Sequence, residues 1–358
     1  MTKPKLFIPG PTHVEQDVLD AFAQYPIGHR TADYSELQAK VVSGIQECLY
    51  TKQSVLISTS SATGLMEAGV RNLSKGKVAN FVCGAFSKRQ AEITQICGLD
   101  QDTFEVEWGQ ATTAEQVEAA LSAGNYDLAT VVFNETSTGV MNPLQEIAEV
   151  LKSFPDTLLM VDAVSGMMGA PIKVDEWGID MVLASVQKAW ALPPGFAVMS
   201  LSDKALERSK SIPEAQKGFY FDFVRIHKAG EKFQTIVTPS IPHLYGLSVQ
   251  LDRIKAEGLE NRFARHHEMA SRVREWGQEK FGLFAQPGYE SETLTCFKNS
   301  AGIDLIALAT KMKGRNYLIS GGYGDLKGKT FRLAHMGDLN LDDINDVLNV
   351  LDEVIEEL

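Results

Sequence analysis

The chain has 358 residues, of which 44% are hydrophobic and 22% charged, a composition typical of a folded globular protein and not of a disordered or fibrous one. Its 34 Lys and Arg residues are outnumbered by 46 Asp and Glu residues, and the net charge of -12 argues against binding to the phosphate backbone of nucleic acids. A chain of this length suits two domains, or one large domain with an appendage.

The cysteine and hydropathy patterns are those of an intracellular protein. The four cysteines form no CxxC pair, so neither a zinc site nor a disulfide framework is expected. No segment reaches the roughly 18 apolar residues of a membrane helix, and the apolar stretch near the N-terminus is too short for a signal peptide. We therefore expect a cytoplasmic protein without a bound metal ion and without a membrane partner.

Between residues 50 and 205, short apolar runs alternate with amphipathic stretches of helical length. The predicted strands are 54–57, 77–82, 128–133, 157–161, 181–184 and 196–200, and the predicted helices are 64–72, 87–98, 114–123 and 144–154. This alternation predicts an α/β fold with a mostly parallel sheet. Burial of the strands on both faces accounts for unbroken apolar runs such as 158–161 (LLMV).

The last third of the chain has a different pattern. A long helix is predicted over 243–281, followed by the strands 294–297 and 330–334 and the helices 304–312 and 341–358. These elements predict a small α+β domain. The expected organisation is an N-terminal segment 1–15, a large domain 16–257 and a small C-terminal domain 258–358.

Several common catalytic and nucleotide-binding motifs are missing from the sequence. Residues 324–330 (GDLKGKT) approach a phosphate-binding loop, but Tyr323 occupies the position of its first glycine. No GxGxxG fingerprint, HExxH zinc motif or GxSxG nucleophile turn is present. Any catalytic activity is therefore expected to depend on other residues.

Two predicted strands lead into side chains that suit one cofactor. Asp162 directly follows the run 158–161, and Lys188 follows the strand 181–184, 26 residues further along the chain. Because the carboxyl ends of parallel strands meet at one edge of a sheet, the two side chains are expected to lie close together. Pyridoxal phosphate needs such a pair, a lysine for a Schiff base and a carboxylate at the ring nitrogen.

A third strand end could bind the cofactor phosphate. The strand 54–57 is followed by small hydroxyl residues and by a predicted helix, with Ser61, Ala62 and Thr63 just before Gly64. A helix N-terminus offers backbone N–H groups and the positive end of its dipole to an anion. A serine-rich turn that merely caps a helix is the commoner meaning of such a segment, and the nearby Asp162 and Lys188 favour the phosphate site.

The sequence resembles the class V aminotransferases, which are fold-type I pyridoxal-phosphate enzymes. The matching segments are 9–12 (PGPT), 135–140 (ETSTGV), 161–165 (VDAVS), 185–188 (SVQK) and 331–333 (FRL), and the resemblance covers nearly the whole chain. Within that group the chain is most similar to alanine–glyoxylate and serine–pyruvate aminotransferases. The resemblance implies a mostly parallel seven-stranded sheet sandwiched by helices, with a smaller C-terminal α+β domain.

The resemblance implies a role for each matching residue. Lys188 would form the Schiff base and move a proton, while Asp162 would bind the pyridine nitrogen. The phosphate would be held by Ser61, Ala62, Thr63 and Gln187. Thr136 would donate to the phenolic oxygen and Phe86 would stack on the ring, although some relatives carry tryptophan at the position of Phe86 and histidine at that of Thr63.

Substrate and partner contacts are implied in the same way. Arg332 would bind the α-carboxylate of the substrate through two parallel hydrogen bonds. The family is homodimeric with shared active sites, and Thr235 and Thr238 match residues that reach the cofactor of the neighbouring subunit. A basic segment would bind a second anionic group of the substrate, and it consists of Gly28, His29 and Arg30.

The expected reaction is ping-pong transfer of an amino group from alanine or serine to glyoxylate or pyruvate. Phosphoserine is the nearest alternative donor, and aminoethylphosphonate and purine-derived donors are open within the same family. A lyase or desulfurase is a further alternative, but desulfurases usually place histidine before the Schiff-base lysine, where Gln187 stands here. A non-catalytic binding protein would not be expected to retain Lys188, Asp162 and Arg332 together.

Overall fold

The computed structural model describes residues 3–358. The strands are β1 (Lys5–Leu6), β2 (Ser54–Ser58), β3 (Lys77–Val82), β4 (Asp100–Glu105), β5 (Leu128–Val132), β6 (Asn134–Glu135), β7 (Val140–Met141), β8 (Leu158–Asp162), β9 (Met181–Ser185), β10 (Ala197–Leu201), β11 (Leu294–Lys298), β12 (Tyr317–Leu318), β13 (Ser320–Gly321) and β14 (Thr330–Ala334).

The α-helices lie between these strands and at the C-terminal end. They are α1 (Gln16–Phe22), α2 (Ala32–Cys48), α3 (Ala62–Leu73), α4 (Ala85–Ile96), α5 (Ala114–Ser122), α6 (Leu144–Leu151), α7 (Val174–Trp177), α8 (Asp203–Lys210), α9 (Glu214–Lys217), α10 (Phe223–Gly230), α11 (Ile241–Glu257), α12 (Leu259–Lys280), α13 (Leu305–Gly314) and α14 (Leu341–Glu356). A single 3-10 turn, Gly324–Leu326, precedes β14.

The central sheet has seven strands in the order β2-β10-β9-β8-β5-β3-β4. Strand β10 is antiparallel to both of its neighbours, and the remaining pairs are parallel. The predicted mostly parallel, seven-stranded sheet is therefore confirmed. Strand β4 was missed by the sequence prediction because it is an edge strand, and none of the six residues of its polar sequence DQDTFE is fully buried.

Helices cover both faces of this sheet, as expected. Alternate residues of each inner strand enter opposite cores: Leu158 and Met160 pack with α3 and α8, whereas Leu159 and Val161 pack with α2, α6 and α11. Side chains of a strand point alternately to its two faces, so a strand covered on both sides must be apolar throughout. This packing explains the unbroken apolar runs in the sequence.

The predicted single helix over 243–281 is wrong. Helix α11 ends at Glu257 and α12 begins at Leu259. Gly258 between them has a φ of +86°, a left-handed conformation that glycine adopts without steric cost and that ends a helix. The apolar stripe continues across the break, which is why its periodicity resembled that of one helix.

The C-terminal third forms its own small sheet and core. Strands β11, β14 and β13 are antiparallel and pack with α12, α13 and α14. The N-terminal segment joins them, because β1 pairs with β12 and Phe7 lies fully buried in this core. The division of the chain into 1–15, 16–257 and 258–358 stays a prediction. No helix in the described part of the chain is both long and apolar enough to cross a bilayer.

A glycine in α11 sets how closely that helix packs on α1. A Cβ atom at Gly246 would lie 2.0 Å from the ring of Phe22. Gly246→Ala should therefore lower the free energy of unfolding by about 1–3 kcal/mol through overpacking. Gly314→Ala, where a Cβ would meet no atom within 4 Å, should be neutral or stabilising by up to about 1 kcal/mol. Denaturant unfolding measures both variants, and an unchanged Gly246→Ala would contradict this packing.

Candidate active site

The carboxyl ends of β2, β8 and β9 share one edge of the central sheet, and a cavity of about 260 Å³ lies there. Eight residues predicted to bind a cofactor line this cavity: Ser61, Ala62, Thr63, Phe86, Thr136, Asp162, Gln187 and Lys188. The remaining lining residues are Gly10, Pro11, Met66, Arg89, Asn134, Val164, Ser185 and Pro194. Segments far apart in sequence are thus brought together by the parallel sheet.

Asp162 is the last residue of β8 and is 6% exposed. Burial raises the pKa of its carboxyl group to about 6, although the N–H of Val164 donates to Oδ1 over 2.9 Å and opposes the rise. Among residues 3–358, no hydrogen bond reaches Oδ2. A buried carboxylate with a free oxygen favours a cationic partner in the cavity.

Lys188 lies three residues beyond the end of β9 and is 9% exposed. Its Nζ donates a hydrogen bond to the carbonyl oxygen of Pro9, in the N-terminal segment. Burial and the nearby charge of Arg332 lower the pKa of Lys188 to about 8. A substantial fraction of this amine is therefore neutral near physiological pH, as a nucleophile or base requires.

The N-terminus of α3 forms the other end of the cavity. The N–H of Ala62 donates to Ser185 Oγ over 2.5 Å, which fixes the start of the helix against the end of β9. Ser61 and Thr63 are exposed at this point, so their hydroxyl groups are available to a ligand. Exposed hydroxyls beside the first N–H groups of a helix suit a phosphate.

Asn134 is a cavity residue that sequence reasoning missed. It is 2% exposed, and neither polar atom of its side-chain amide has a hydrogen-bond partner among residues 3–358. Buried polar groups are normally paired, so an orphaned amide that lines a cavity indicates a polar ligand. A polar residue directly after the apolar run of β5 is the signal that could have identified it. Together with the amine, the carboxylate and the helix N-terminus, Asn134 fits pyridoxal phosphate.

Arg332 extends from β14 of the small sheet to the backbone of Thr136, a residue that lines the cavity. Its Nη1 donates to the carbonyl of Thr136 over 3.0 Å, and Nε and Nη2 donate to the carbonyl of Gly321 over 3.1 and 3.0 Å. A guanidinium has five N–H groups, so one N–H remains on each terminal nitrogen. This arrangement holds the side chain rigidly and leaves a pair of donors for a carboxylate.

Aromatic and cationic side chains form a row beside Phe86. The Tyr323 ring stacks on Phe86 with centroids 5.2 Å apart, and the guanidinium carbons of Arg89 and Arg332 lie 4.8 Å from the Phe86 centroid and 5.7 Å from the Tyr323 centroid, respectively. Arg89 Nη2 also donates to Tyr323 Oη over 2.9 Å. Arg89 and Tyr323 were not identified from the sequence, because 234 positions separate them and neither belongs to a motif.

Six predicted site residues do not line this cavity: Arg332, Gly28, His29, Arg30, Thr235 and Thr238. Within one chain, Arg30 Nη1 donates to the carbonyl of Thr235 over 2.6 Å. The Thr235 hydroxyl donates to the carbonyl of Val237 over 2.6 Å, and Thr238 is exposed. Their roles in binding a substrate or a neighbouring cofactor stay predictions.

The raised pKa of Asp162 has a consequence for stability without ligand. Between the ordinary value of 3.8 and about 6, the native state binds more protons at this group than the unfolded state. Wild-type stability should therefore fall, relative to Asp162→Asn, as pH rises through this window, because the asparagine does not titrate. Thermal unfolding of both ligand-free proteins at several pH values measures the difference in Tm. A difference that stays flat from pH 4 to pH 6 would contradict the burial of an uncompensated carboxylate.

Known proteins are similar in sequence to this chain along almost its full length. Residues 6–322 match the family described as Aminotransferase class-V. The chain is 38% identical over 365 residues to an uncharacterized aminotransferase of Methanocaldococcus jannaschii, with coverage of 99% of this chain and 94% of the relative. It is 32% identical over 354 residues to the serine–glyoxylate aminotransferase of Methylorubrum extorquens, with coverage of 94% and 87%.

A solved structure has the same architecture. The crystal structure of alanine–glyoxylate aminotransferase from Nostoc sp. superposes with a TM-score of 0.93 at 27% identity, and the match covers 99% of this chain and 96% of that one. The predicted fold-type I architecture is thus confirmed. The chain belongs to the class V aminotransferase family and is a transaminase.

Proposed function

We propose that this transaminase uses pyridoxal phosphate to move an amino group from alanine or serine to glyoxylate or pyruvate by a ping-pong mechanism. One observation carries the proposal: a buried carboxylate and a buried amine of lowered pKa line the same cavity, and a guanidinium with two free N–H groups donates to the carbonyl of the lining residue Thr136. These groups belong to Asp162, Lys188 and Arg332.

The cavity residues divide the binding of the cofactor among them. Pyridoxal phosphate would supply an electron sink for the bond that breaks at the substrate Cα. Asp162 Oδ2 would accept a hydrogen bond from the ring nitrogen and keep it protonated, and Thr136 Oγ1 would donate to the phenolic oxygen. The phosphate would lie at the start of α3, where it is bound by Ser61, Ala62, Thr63 and Gln187.

Lys188 would move the proton that the reaction requires. Its Nζ would take the proton from Cα of the amino donor in the first half-reaction. In the second half-reaction it would deliver a proton to Cα of the amino acid formed from the acceptor. Its pKa of about 8, set by burial and by the charge of Arg332, allows the amine both to accept and to release a proton near neutral pH. The carbonyl of Pro9 accepts a hydrogen bond from the same amine and orients it towards the cavity.

Arg332 would hold the α-carboxylate of donor and acceptor alike. The protein is acidic overall, with a net charge of -12, so anionic substrates must be attracted by locally placed cations. The row formed by Arg89, Phe86, Tyr323 and Arg332 provides two such cations at the cavity. The Tyr323 ring, whose centroid lies 5.7 Å from the Arg332 guanidinium carbon, would narrow the space next to a bound carboxylate and so favour a small donor side chain.

The family relatives support donors of this size. The Methylorubrum extorquens relative is a serine–glyoxylate aminotransferase, and the Nostoc structure is an alanine–glyoxylate aminotransferase. Phosphoserine, aminoethylphosphonate and purine-derived donors are the alternatives. Their larger or more highly charged side chains would need further protein contacts. Gly28, His29 and Arg30 do not line the cavity of their own chain, so they would not provide such contacts there.

A desulfurase or lyase on this scaffold is disfavoured by the cysteines. None of the four lines the cavity, and Cys48, Cys83 and Cys296 are buried. Burial raises the pKa of Cys48 and of Cys83 to about 12 and that of Cys296 to about 11. A desulfurase needs an accessible thiolate that can reach the substrate sulfur, and these thiols are neutral and enclosed.

A homodimer with shared sites is also proposed. The surface around Thr235 and Thr238 carries large aromatic side chains that one chain leaves exposed: Phe219 at 62% and Tyr220 at 41%. Tyr220 and Thr235 line the same small surface depression. Exposed aromatic residues grouped in this way are typical of protein interfaces. Binding of the neighbouring cofactor by Thr235 and Thr238, and a cytoplasmic location, stay predictions.

The cofactor assignment is tested by reconstitution. Purified protein incubated with pyridoxal phosphate should acquire a visible absorbance band, and Lys188→Ala should not, whereas the exposed control Lys210→Ala should behave as wild type. Alanine, serine, phosphoserine, aspartate and aminoethylphosphonate are then added singly to follow loss of the band. Alanine or serine should remove it fastest. A wild-type protein that acquires no band would refute the cofactor, and a response to phosphoserine alone would refute the donor.

The role of Arg332 is tested by Arg332→Lys. A lysine has a single charged head group and cannot present two parallel donors, so KM for the amino donor should rise by about 10- to 100-fold. The exposed Arg315→Lys, whose side chain pairs with Glu353 and Glu357, serves as the control, with an unchanged KM expected. Steady-state kinetics at saturating acceptor provide the measurement. A KM within twofold of wild type in Arg332→Lys would contradict carboxylate binding at this residue.

A further inference from the structure

Glu135 is a fully buried carboxylate that the reaction as described does not use. It lies at the end of β6 with 0% exposure. Its oxygens accept hydrogen bonds from the backbone N–H groups of Phe86 at 3.1 and 3.2 Å, of Ser87 at 2.9 Å and of Ser137 at 3.1 Å. The hydroxyls of Ser87 and Ser137 donate to it over 2.9 and 2.7 Å. No lysine, arginine or histidine of the described chain forms a salt bridge with it.

These hydrogen bonds join two separate elements of the cofactor cavity. Phe86 and Ser87 belong to the first turn of α4, whose N–H groups have no acceptor within the helix. A negative charge at this end is also favoured by the helix dipole. Ser137 belongs to the turn that follows β6. The carboxylate therefore binds the start of α4 to the turn that carries Thr136.

The close approach of the two elements depends on a glycine. A Cβ atom at Gly84 would lie 2.5 Å from Cγ of Glu135 and 2.6 Å from Oγ of Ser137. Ser137 Oγ also accepts a hydrogen bond from the N–H of Ala85 over 3.0 Å. Donors and acceptors on α4 are therefore paired with those on the turn after β6, and the close approach leaves no room for a side chain at position 84.

We propose that Glu135 is a positioning residue of the cofactor site, whose carboxylate sets the separation between Phe86 on α4 and Thr136 on the facing turn. The inference rests on the proposed function, in which Phe86 stacks on the cofactor ring and Thr136 donates to its phenolic oxygen. Both residues are immediate neighbours, in sequence or by hydrogen bond, of the Glu135 carboxylate. A loss of this contact releases two of the groups that orient the ring.

The charge of Glu135 also acts on the reacting amine. Four charged groups affect the pKa of Lys188 in addition to burial: Arg332 and Arg89 lower it, and Asp162 and Glu135 raise it. Replacement of Glu135 by a neutral residue therefore lowers the pKa of this amine further. A helix cap formed by neutral groups would not change the titration of a lysine on another element.

Asp180 offers a matched control. Its carboxylate is buried, at 7% exposure, and it too accepts hydrogen bonds from a backbone N–H, that of Leu159 at 3.0 Å, and from a hydroxyl, that of Ser202 at 2.7 Å. It lies just before β9, at the end of the strand opposite to the cavity residue Ser185. Unlike Glu135, it also forms a salt bridge with Lys204, whose Nζ lies 3.7 Å from Oδ2. Asp180→Asn therefore tests the loss of a buried, hydrogen-bonded carboxylate that has no contact with the site.

The test compares Glu135→Gln with Asp180→Asn in the full chain. A glutamine has an NH2 group in place of one carboxylate oxygen, and this group cannot accept hydrogen bonds. The side chain therefore cannot accept all the hydrogen bonds that Phe86, Ser87 and Ser137 donate to the carboxylate. The dissociation constant for pyridoxal phosphate should rise roughly tenfold or more in Glu135→Gln, the effect expected when a charged hydrogen bond is lost, and less than about twofold in Asp180→Asn. The circular dichroism of the cofactor band should weaken, and its pH midpoint should move to lower pH, in Glu135→Gln alone.

The outcomes are separable. If wild type and Asp180→Asn do not bind pyridoxal phosphate, the proposed function fails; if they bind it and Glu135→Gln binds equally well with the same spectrum and pH midpoint, the positioning role of Glu135 is refuted. Should Glu135→Gln not fold, Ser137→Ala decides, because it removes one donor to the carboxylate and the acceptor of Ala85. A weaker affinity and a weaker dichroism of the band in Ser137→Ala support the proposal, and wild-type values for both overturn it.

Discussion

The burial of two opposite charges at one edge of a parallel sheet is the constraint on which this structure depends. Asp162 and Lys188 are each more than nine-tenths buried. Burial favours the neutral form of both groups, because it raises the pKa of Asp162 and lowers the pKa of Lys188. A cavity with such groups costs stability in the absence of a ligand, and the surrounding apolar strands and helices must offset this cost. The same low-polarity environment gives the lysine an accessible neutral form and gives the carboxylate a strong preference for a cationic ring.

The N-terminal segment and strand β14 both contact residues of this site. The N-terminal segment leaves the small sheet, where the N–H of Ala334 donates to Phe7, and passes over Lys188 through the carbonyl of Pro9. Thr12 Oγ1 then donates to the carbonyl of Lys188 over 2.9 Å. Arg332 enters from β14, directly beside that segment. Lys188 and Arg332 are therefore connected through one set of hydrogen bonds in which backbone carbonyl groups are the acceptors.

Preorganisation in this site relies on backbone groups more than on pairs of charged side chains. Arg332 is held by two carbonyl oxygens, and Glu135 is held by three N–H groups and two hydroxyls. Neutral partners leave the charge of each group available to the cavity, because no opposite charge cancels it at close range. A positively charged and a negatively charged group can thus coexist within a small volume.

The sequence by itself determined the fold class, the sheet and half of the residues that line the cavity. Apolar runs buried on both faces predicted β5, β8 and β9, and the residues after β8 and β9 identified Asp162 and Lys188. It missed β4, whose exposed edge hides the apolar pattern, and the break at Gly258, across which the periodicity continues. Tertiary structure alone decided the parts of the site that depend on distant segments. Asn134 is significant because folding leaves its amide buried and unpaired, and Arg89 and Tyr323 because the C-terminal sheet folds back onto α4. Arg89 and Tyr323 carry no local signal, and the position of Asn134 after the apolar run of β5 does not reveal that its amide is unpaired. The chemistry of these residues arises from burial and from neighbours that lie far away in the sequence.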